Sequence, residues 1–135
     1  MRTPEFFQTH GKNHFPGYLG IEILEVAPKR LTARLQLETH HLAPNGFLHA
    51  ATVVALADTA CGYGCVAALP EGAKNFTTVE LKTNFLGTAR RGAIHCEAVL
   101  VHGGRTTQVW DATVRDEGNH KVIALFRCTQ MIMYK

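Results

Sequence analysis

One carboxylate interrupts a long apolar stretch of this sequence. Between Gly46 and Pro70 the only formally charged side chain is Asp58, and most of its neighbours are Ala, Val, Leu and Thr. Burying an unpaired carboxylate is costly or raises its pKa. Such a group can serve as a nucleophile or a general base, or it can pair with a neighbour such as Thr59. The residue types alone leave the functional and the structural interpretation open.

His49 lies nine residues before Asp58, where a helix is expected to begin. Nine residues are two and a half helical turns, so the two side chains lie on different faces and should not form a dyad within one chain. The free N–H groups at a helix N-terminus can stabilise a developing oxyanion. Ala50 and Ala51 are small enough to let a ligand approach there. The alternative for His49 is a capping or packing role.

The elements that hold these residues follow from hydrophobic patterning. Apolar and polar residues alternate in 31–38, which together with 19–26 predicts a β-hairpin. Residues 1–18 are predicted to form an N-terminal arm or short helix. Beyond the apolar stretch, strand-length runs rich in β-formers are joined by glycine-containing turns, which predicts antiparallel pairing. These runs are 76–86, 93–102, 105–115 and 121–133.

The apolar stretch itself predicts a buried helix rather than a membrane span, because its residues are small and His49 and Asp58 interrupt it. Gly62 and Gly64 are expected to loosen its C-terminal end. A flat six-stranded sheet cannot cover a helix on all sides. The sheet must therefore curl around the helix, or a second subunit must cover the rest, and on this ground we expect an oligomer.

Composition narrows the class of protein. The 135 residues, 46% hydrophobic and 19% charged, suit one globular domain over residues 1–135. A net charge of +3 is too weak to indicate nucleic acid but suits an anionic small molecule. The four cysteines form no CxxC pair and are expected to be buried hydrophobes. With no signal peptide evident at the N-terminus, we expect a cytoplasmic protein. No metal-ligand spacing, GxSxG elbow or Walker or Rossmann glycine pattern occurs in the sequence.

Several segments resemble the signature of the phenylacetate-degradation (PaaI-like) thioesterases, from about residue 17 to residue 133. That family has His-Gly-Gly, four residues, and then Leu-Ala-Asp or Leu-Ala-Glu. The corresponding segments here are NGFLHAA at 45–51, LADTA at 56–60, VELKTNFL at 79–86 and HGGRT at 102–106. The resemblance implies an α+β hot-dog fold, in which a curled antiparallel sheet wraps around one long buried helix.

The resemblance also implies hydrolysis of acyl-CoA thioesters, with coenzyme A as part of the substrate and no cofactor. Asp58 would be the nucleophile or the general base, the Ala50 N–H would polarise the thioester carbonyl, and His49 would shape that end of the site. In family dimers the helix carboxylate of one subunit works against the oxyanion end of the other. The resemblance therefore implies at least a homodimer, and a homotetramer is usual among relatives.

For the substrate, the resemblance indicates the two turns after the helix, since arginines and free turn N–H groups suit the phosphates of CoA. The residues expected to contact substrate are Ala51, Thr59, Arg90, Arg91, Gly104, Arg105 and Thr106. Two positions depart from the family pattern. His-Gly-Gly is His-Ala-Ala here, and the Asn or Gln usual six residues before the histidine is Ala43. We hypothesise that Asn45 takes over the role of that amide.

Two alternatives to a thioesterase for small, medium-length or aryl acyl groups remain open. Hot-dog hydratases and dehydratases carry an Asp a few residues before a His in one loop, whereas this loop offers Ala43, Pro44 and Asn45. A non-catalytic acyl-CoA-binding module is the other alternative, and it is supported by the missing amide at position 43. Turnover of a thioester separates the enzymes from the binding module.

Overall fold

The computed structural model describes residues 2–135 and follows the predicted order of a hairpin, a helix and four strands. Two short helices come before the hairpin, and a 3-10 turn at Thr39–His41 leads into the long helix. The helices are α1 (Pro4–Gly11), α2 (Phe15–Leu19) and α3 (Ala50–Ala67). The strands are β1 (Glu22–Ala27), β2 (Arg30–Gln36), β3 (Asn75–Phe85), β4 (Ala93–Gly103), β5 (Thr107–Asp116) and β6 (Val122–Met133).

All six strands belong to one antiparallel sheet with the order β1-β2-β4-β5-β6-β3. The sheet curls around α3, which confirms the predicted hot-dog fold. β3 directly precedes β4 in the chain, yet it pairs with β6 and forms the far edge of the sheet. One side of β3 therefore has no strand partner within residues 2–135, and a β-bulge between Thr78 and Glu80 bends it.

α3 packs along the concave face of the sheet and forms the core with it. Leu56, Ala57, Ala60 and Cys61 are fully buried on α3. The side chains that cover them alternate along the inner faces of the strands; they include Leu31, Ala33, Leu35, Ala98, Val114 and Cys128. The helix has the length of a membrane span and a mean hydropathy of 1.4, but here it is the core helix of a sheet. The prediction that the four cysteines are buried is confirmed.

The two helix glycines permit close packing rather than loosening the helix, so that expectation was wrong. α3 remains helical to Ala67. A Cβ at Gly64 would lie 2.7 Å from the Trp110 ring, and one at Gly62 would lie 3.0 Å from the Phe76 ring. The low helix propensity of glycine is offset because its missing side chain lets the helix approach the sheet.

Buried hydrogen bonds fasten the C-terminal end of α3 to β5. The Trp110 indole N–H donates to Gln108 Oε1 over 2.8 Å, and Gln108 Nε2 donates to the Ala68 carbonyl over 2.9 Å. Gln108 therefore satisfies both the indole and a carbonyl at the end of the helix, a position where carbonyls lack helical partners. The position of α3 relative to the sheet is set jointly by these bonds and by the glycine contacts.

The N-terminal segment, predicted as an arm or short helix, forms α1 and α2. Phe7 is buried and stacks on Tyr63 of α3, with 4.7 Å between ring centroids. Gln8 bonds both Ile21 O and the Ile23 N–H, at 2.9 and 3.0 Å, which ties α1 to the beginning of β1. This segment therefore covers part of the helix face that the sheet leaves open.

We expect Gly64→Ala to destabilise the protein by about 1–3 kcal/mol, because the added methyl group forces the buried Trp110 ring or the helix to move. Alanine is the better helix former, so a gain of stability would show that this contact does not limit packing. Urea unfolding measures the change. Gly62→Ala is the matched control; its Cβ meets only the half-buried Phe76 ring at 3.0 Å, and its cost should be smaller.

Candidate active site

Asp58 lies at the middle of α3 on the side that faces the edge strand β3. Gly62, one turn further along the same helix face, touches Phe76 of β3. Thr78 follows Phe76 by two residues on the same face of β3, which places it beside Asp58. Asp58 is half-buried, and its Oδ1 atom is fully buried without a hydrogen-bond partner among the residues that the structure describes. A carboxylate oxygen in this situation is available to a proton or to a reacting group.

Burial raises the pKa of Asp58 above its ordinary value of 3.8, and the neighbouring Thr78 hydroxyl opposes that rise with a smaller effect. Desolvation disfavours the ionised form of a carboxyl, so this aspartate is a stronger base than an exposed one. Raised proton affinity combined with an unsatisfied oxygen is typical of a carboxylate that takes part in chemistry. Thr59, the next residue, is half-buried.

The N-terminus of α3 presents one free N–H group, that of Ala50. The His49 carbonyl accepts from Thr52 at 3.0 Å and from Val53 at 3.4 Å. The His49 side chain caps the helix, since its Nδ1 accepts the Ala51 N–H over 2.9 Å. In the described chain no acceptor is assigned to the exposed Ala50 N–H. His49 therefore caps the helix, which is the alternative role that the sequence left open for it. This cap leaves the Ala50 N–H as the available donor.

Alanine is compatible with this position because the backbone does not need glycine there. Ala50 is the first residue of α3, and neither it nor Ala51 is among the residues with positive φ. An L-residue adopts ordinary helical angles without strain. The replacement of His-Gly-Gly by His-Ala-Ala therefore leaves a backbone N–H available at position 50.

His41 is a positioning residue that the sequence pattern did not indicate. Its buried ring accepts the Glu38 N–H at Nδ1 over 2.9 Å, and its Nε2 lies 2.7 Å from the Leu19 carbonyl. Its own carbonyl accepts the His49 N–H over 3.2 Å and the Thr52 hydroxyl over 2.8 Å. His41 thus ties the beginning of α3 to the N-terminal segment. The only signal in the sequence is the adjacent pair of histidines, which carries no periodicity.

The loop before α3 contains Ala43, where the family usually has an amide side chain, and Asn45, the hypothesised replacement. Ala43 and Phe47 close a tight turn through the Ala43 N–H and the Phe47 carbonyl at 2.7 Å. Asn45 lies at the exposed tip, where its Oδ1 accepts the Phe47 N–H over 3.1 Å. This bond uses one oxygen lone pair and leaves the side-chain NH₂ free to donate. The catalytic role of Asn45 stays a prediction.

Arg90 lies next to the N-terminal end of α3. Its guanidinium packs over the Phe47 ring at 4.2 Å, and the Leu48 N–H donates to the Thr88 hydroxyl over 3.2 Å. These contacts hold the loop between β3 and β4 against the loop that enters the helix. Arg91 is exposed in the same turn. The arrangement brings positive charge to the loop that enters α3.

Gly104, Arg105 and Thr106 lie at the opposite end of α3, in the β4–β5 turn. Gly104 borders a mainly apolar cavity of about 290 Å³ that also includes Ala67, Lys29 and Leu100. The Gly104 N–H donates to the Thr107 carbonyl over 2.9 Å and closes this turn. The Arg105 carbonyl accepts the Tyr134 hydroxyl over 2.5 Å. Because α3 is about 27 Å long, this turn and Arg90 cannot share one phosphate within a chain.

Within a single chain, Asp58 is also far from the Ala50 N–H. Ala50 and Asp58 are eight residues apart along one helix, which corresponds to about 12 Å. One thioester carbonyl cannot contact both groups across that distance. Within residues 2–135, no group of three or more His, Cys, Asp or Glu side chains is arranged to hold a metal ion.

Sequence comparison identifies the family. Residues 45–123 match the family model described as the thioesterase superfamily. The Bacillus subtilis protein ComA2, a proposed esterase, is 32% identical over 117 residues, covering 87% of this chain and 92% of that protein. A 1,4-dihydroxy-2-naphthoyl-CoA hydrolase from Listeria monocytogenes is 29% identical over 117 residues, covering 87% of this chain and 94% of the relative.

Solved structures share the whole architecture. A thioesterase from Haemophilus influenzae superposes with a TM-score of 0.92 at 27% identity, covering 98% of this chain and 92% of that one. The zebrafish thioesterase superfamily member 2 shares the fold, with a TM-score of 0.87 at 21% identity and coverage of 98% and 99%. With α3, Asp58 and the helix N-terminus all inside the matched region, the chain belongs to the thioesterase superfamily of hot-dog-fold thioester hydrolases.

Proposed function

We propose that this protein is an acyl-CoA thioesterase that hydrolyses small, medium-length or aryl acyl-CoA in a site shared by two chains. The observation that carries the proposal is the pairing of two unsatisfied groups on α3. Asp58 has a buried oxygen without a partner, and Ala50 has a free N–H at the positive end of the helix dipole. These are the base or nucleophile and the oxyanion donor that acyl transfer requires.

In the proposed reaction water adds to the thioester carbonyl, the C–S bond breaks, and a free acid and the CoA thiol are formed. As general base, Asp58 takes a proton from the attacking water. As nucleophile, its carboxylate attacks the carbonyl and water then hydrolyses the resulting anhydride. The Ala50 N–H, reinforced by the helix dipole, stabilises the oxygen that becomes negative in either route. Both routes need Asp58 in its ionised form.

The geometry supports a shared site because Asp58 and the Ala50 N–H are too far apart within one chain. A two-fold axis can bring Asp58 of one chain close to the Ala50 N–H of the other. β3 runs antiparallel to α3, because along its length it passes Gly62 first and Asp58 second. Shortly after β3 ends, Thr88 contacts the loop that begins the helix. If two β3 edges pair antiparallel, the Asp58 level of one chain lies next to the helix N-terminus of the other. A dimer of this kind makes two equivalent sites.

The exposed side of β3 supports such pairing. Leu81 and Phe85 are 42% and 48% exposed, although their cross-strand partners Cys128 and Ala124 are buried. Val79 in the bulge is 52% exposed, and Leu86 just after the strand is 61% exposed. A free strand edge lined by large apolar side chains is an interaction surface that a monomer would not normally leave open. We infer a homodimer across β3 and propose that dimers pair into a homotetramer.

The substrate class is supported by charge and by the relatives. Arg90, the helix N-terminus and a net charge of +3 favour an anionic substrate such as CoA. The names of two relatives specify 1,4-dihydroxy-2-naphthoyl-CoA hydrolysis, which supports an aryl group among the acyl chains to be tried. We further propose that Arg91, Arg105, Thr106, Ala51 and Thr59 contact the substrate, and that the enzyme acts in the cytoplasm.

Asp58→Asn should reduce kcat by about a hundredfold or more, because the amide can neither accept the proton nor attack the carbonyl. Thiol release from acetyl- to long-chain acyl-CoA, benzoyl-CoA and phenylacetyl-CoA measures the change. Asp111→Asn is the matched control, since Asp111 pairs with Arg127 on the outer face of the sheet, and it should keep most of the turnover. Undiminished turnover in Asp58→Asn would exclude the role of Asp58. CoA binding without turnover would favour the binding module.

Asp58→Asn should also melt at a higher temperature than wild type at pH 8. The raised pKa of Asp58 means that the fold binds this proton more tightly than the unfolded chain does. Wild-type stability therefore falls as pH rises from about 3.8 through the raised pKa, and the loss persists above it. Asparagine does not titrate, so the difference between the two proteins should shrink as the pH falls through the raised pKa of Asp58 towards 3.8. If the melting temperatures of the two proteins change equally with pH, burial does not destabilise the ionised Asp58 carboxyl.

Ala50→Pro should remove the oxyanion donor without disturbing the helix. Proline is favoured at the first helical position, and His49 already has the φ of −70° and ψ of 133° that suit a residue before proline. We expect an unchanged melting temperature and a loss of about 10²–10³ in kcat. Ala50→Gly keeps the N–H and is the control. A fully active Ala50→Pro protein would exclude the Ala50 N–H from catalysis.

Co-expression of Asp58→Asn and Ala50→Pro chains then tests whether the site is shared. A mixed dimer has one site with both groups intact if each site combines two chains, and none if each site lies within one chain. Statistical mixing should restore about one quarter of wild-type activity. Mixed dimers that form and stay inactive would contradict the shared site and leave the other assignments standing.

A further inference from the structure

The C-terminal end of α3 borders a cavity that the proposed reaction does not use. The cavity has a volume of about 290 Å³ and opens between the β1–β2 turn and the β4–β5 turn. Its size is close to the lower end of the range for small-molecule sites, about 300–1,000 Å³, and such sites are mostly apolar with a few polar groups. The polar side chains of this cavity are Lys29 and Gln108. Its apolar walls include Val26, Ala27, Pro28, Ala67, Pro70 and Leu100.

The cavity is separate from the proposed active site. Ala67 follows Asp58 by nine residues on α3, which places the two on opposite sides of the helix and about 14 Å apart along its axis. Asp58 faces β3, whereas Ala67 faces the cavity. β1, β2 and β4 form the half of the sheet away from β3, so a dimer across β3 would leave the cavity open. An inference about this cavity therefore does not depend on the proposed function.

Lys29 has a backbone conformation that normally favours glycine. It is the second of the two residues that join β1 to β2, and its φ is 64°. Glycine or asparagine is usual at such a position, because a Cβ makes positive φ unfavourable. The Lys29 carbonyl accepts the Leu100 N–H over 2.9 Å, which holds the turn beside the cavity. Functional sites often keep a residue in a disfavoured conformation, so the Lys29 side chain is a candidate for a role that glycine could not fulfil.

The Lys29 ammonium is the charged group of the cavity. Lys29 is exposed, and no carboxylate of residues 2–135 forms an ion pair with it. The carbonyls at the C-terminal end of α3 carry partial negative charge, which disfavours an anion beside Ala67 but not at the turn that holds Lys29. Gln108 already donates to the Ala68 carbonyl over 2.9 Å. The distribution of charge therefore suits a ligand with an apolar body inside the cavity and one negative charge at Lys29.

We propose that this cavity is a second binding site, which takes a small monocarboxylic acid with an apolar body. The volume corresponds to about ten water molecules at about 30 Å³ each, and hence to a ligand of about ten non-hydrogen atoms. Octanoate has this size and a single negative charge. Its carboxylate pairs with Lys29, and its alkyl chain lies against Ala67 and Leu100. Hydrolysis of an acyl thioester releases acids of the same chemical class.

Titration of ¹⁵N-labelled protein with octanoate, followed by NMR, tests the site. Saturable shifts are expected at the amides of Leu100, Gly103, Gly104 and Gln108, which line the cavity. Lys29→Met removes the charge and should weaken octanoate binding by about threefold to tenfold while leaving the binding of uncharged 1-octanol unchanged. Lys121→Met is the matched control, since Lys121 is exposed next to the β5–β6 turn at the other end of β5, and it should bind octanoate like wild type.

Two further variants separate ligand binding from stability. Lys29→Gly should melt no lower than wild type, because glycine adopts a φ of 64° without strain, yet it should lose as much octanoate affinity as Lys29→Met. Ala67→Leu keeps a good helix former and fills the cavity, so it should weaken the binding of both octanoate and 1-octanol. Thermal melts verify that each variant is folded before its binding is interpreted.

Several results would overturn the proposal. Shifts that do not saturate, or that leave the cavity amides unchanged, would exclude the site. Equal octanoate affinity in Lys29→Met and wild type, or an equal loss for octanoate and 1-octanol, would exclude recognition of the carboxylate by Lys29. Asp58→Asn should bind octanoate at the cavity amides as tightly as wild type, and a loss of these shifts would contradict a separate site. Because no thioester is used, a failure of the proposed function leaves this test unaffected.

Discussion

The packing of α3 against the concave face of the sheet is the constraint on which the rest of the molecule depends. Gly64 lies against Trp110, and Gln108 bonds the end of the helix, so neither rotation nor sliding of α3 is free. Rotation of α3 by one residue would turn Asp58 away from β3, because successive helical residues differ in direction by about 100°. The fit between the glycines and the aromatic rings therefore determines where the carboxylate lies.

The same helix carries two hydrogen-bonding groups without a partner in the described chain. Asp58 has a buried oxygen without a donor, and Ala50 has an exposed N–H without a protein acceptor. The carboxylate destabilises the fold because burial removes its hydration, whereas the exposed N–H can bond water. The surrounding structure supplies the compensation through the His49 cap, the His41 bonds and the extensive core. Local destabilisation maintained by its surroundings is typical of functional sites.

The departures from the family signature have different physical weight. His49-Ala50-Ala51 replaces His-Gly-Gly at little cost, because a first helical residue has ordinary backbone angles and still provides its N–H. Ala43 is different, since a methyl group cannot replace a side-chain amide that would bind water or the thioester. Asn45 lies two residues away at an exposed turn, where its oxygen already stabilises the loop. We therefore expect the replacement of the amide by Ala43 to affect the proposed reaction more than the replacement of the two glycines by Ala50 and Ala51.

The sequence by itself determined the fold class, the order of the elements and Asp58 as the reactive candidate, because hydrophobic period and a lone charge in an apolar run are local signals. The strand runs and the helix were predicted to within a few residues. Only the tertiary structure placed β3 beside β6, joined Thr78 to Gln130 and assigned His41 to the entrance of the helix. These contacts join residues far apart in the chain, and a hydrogen bond between such residues produces no periodic pattern in the sequence. The role of the glycines was likewise decided in three dimensions, where the absence of a side chain matters only once a ring lies opposite.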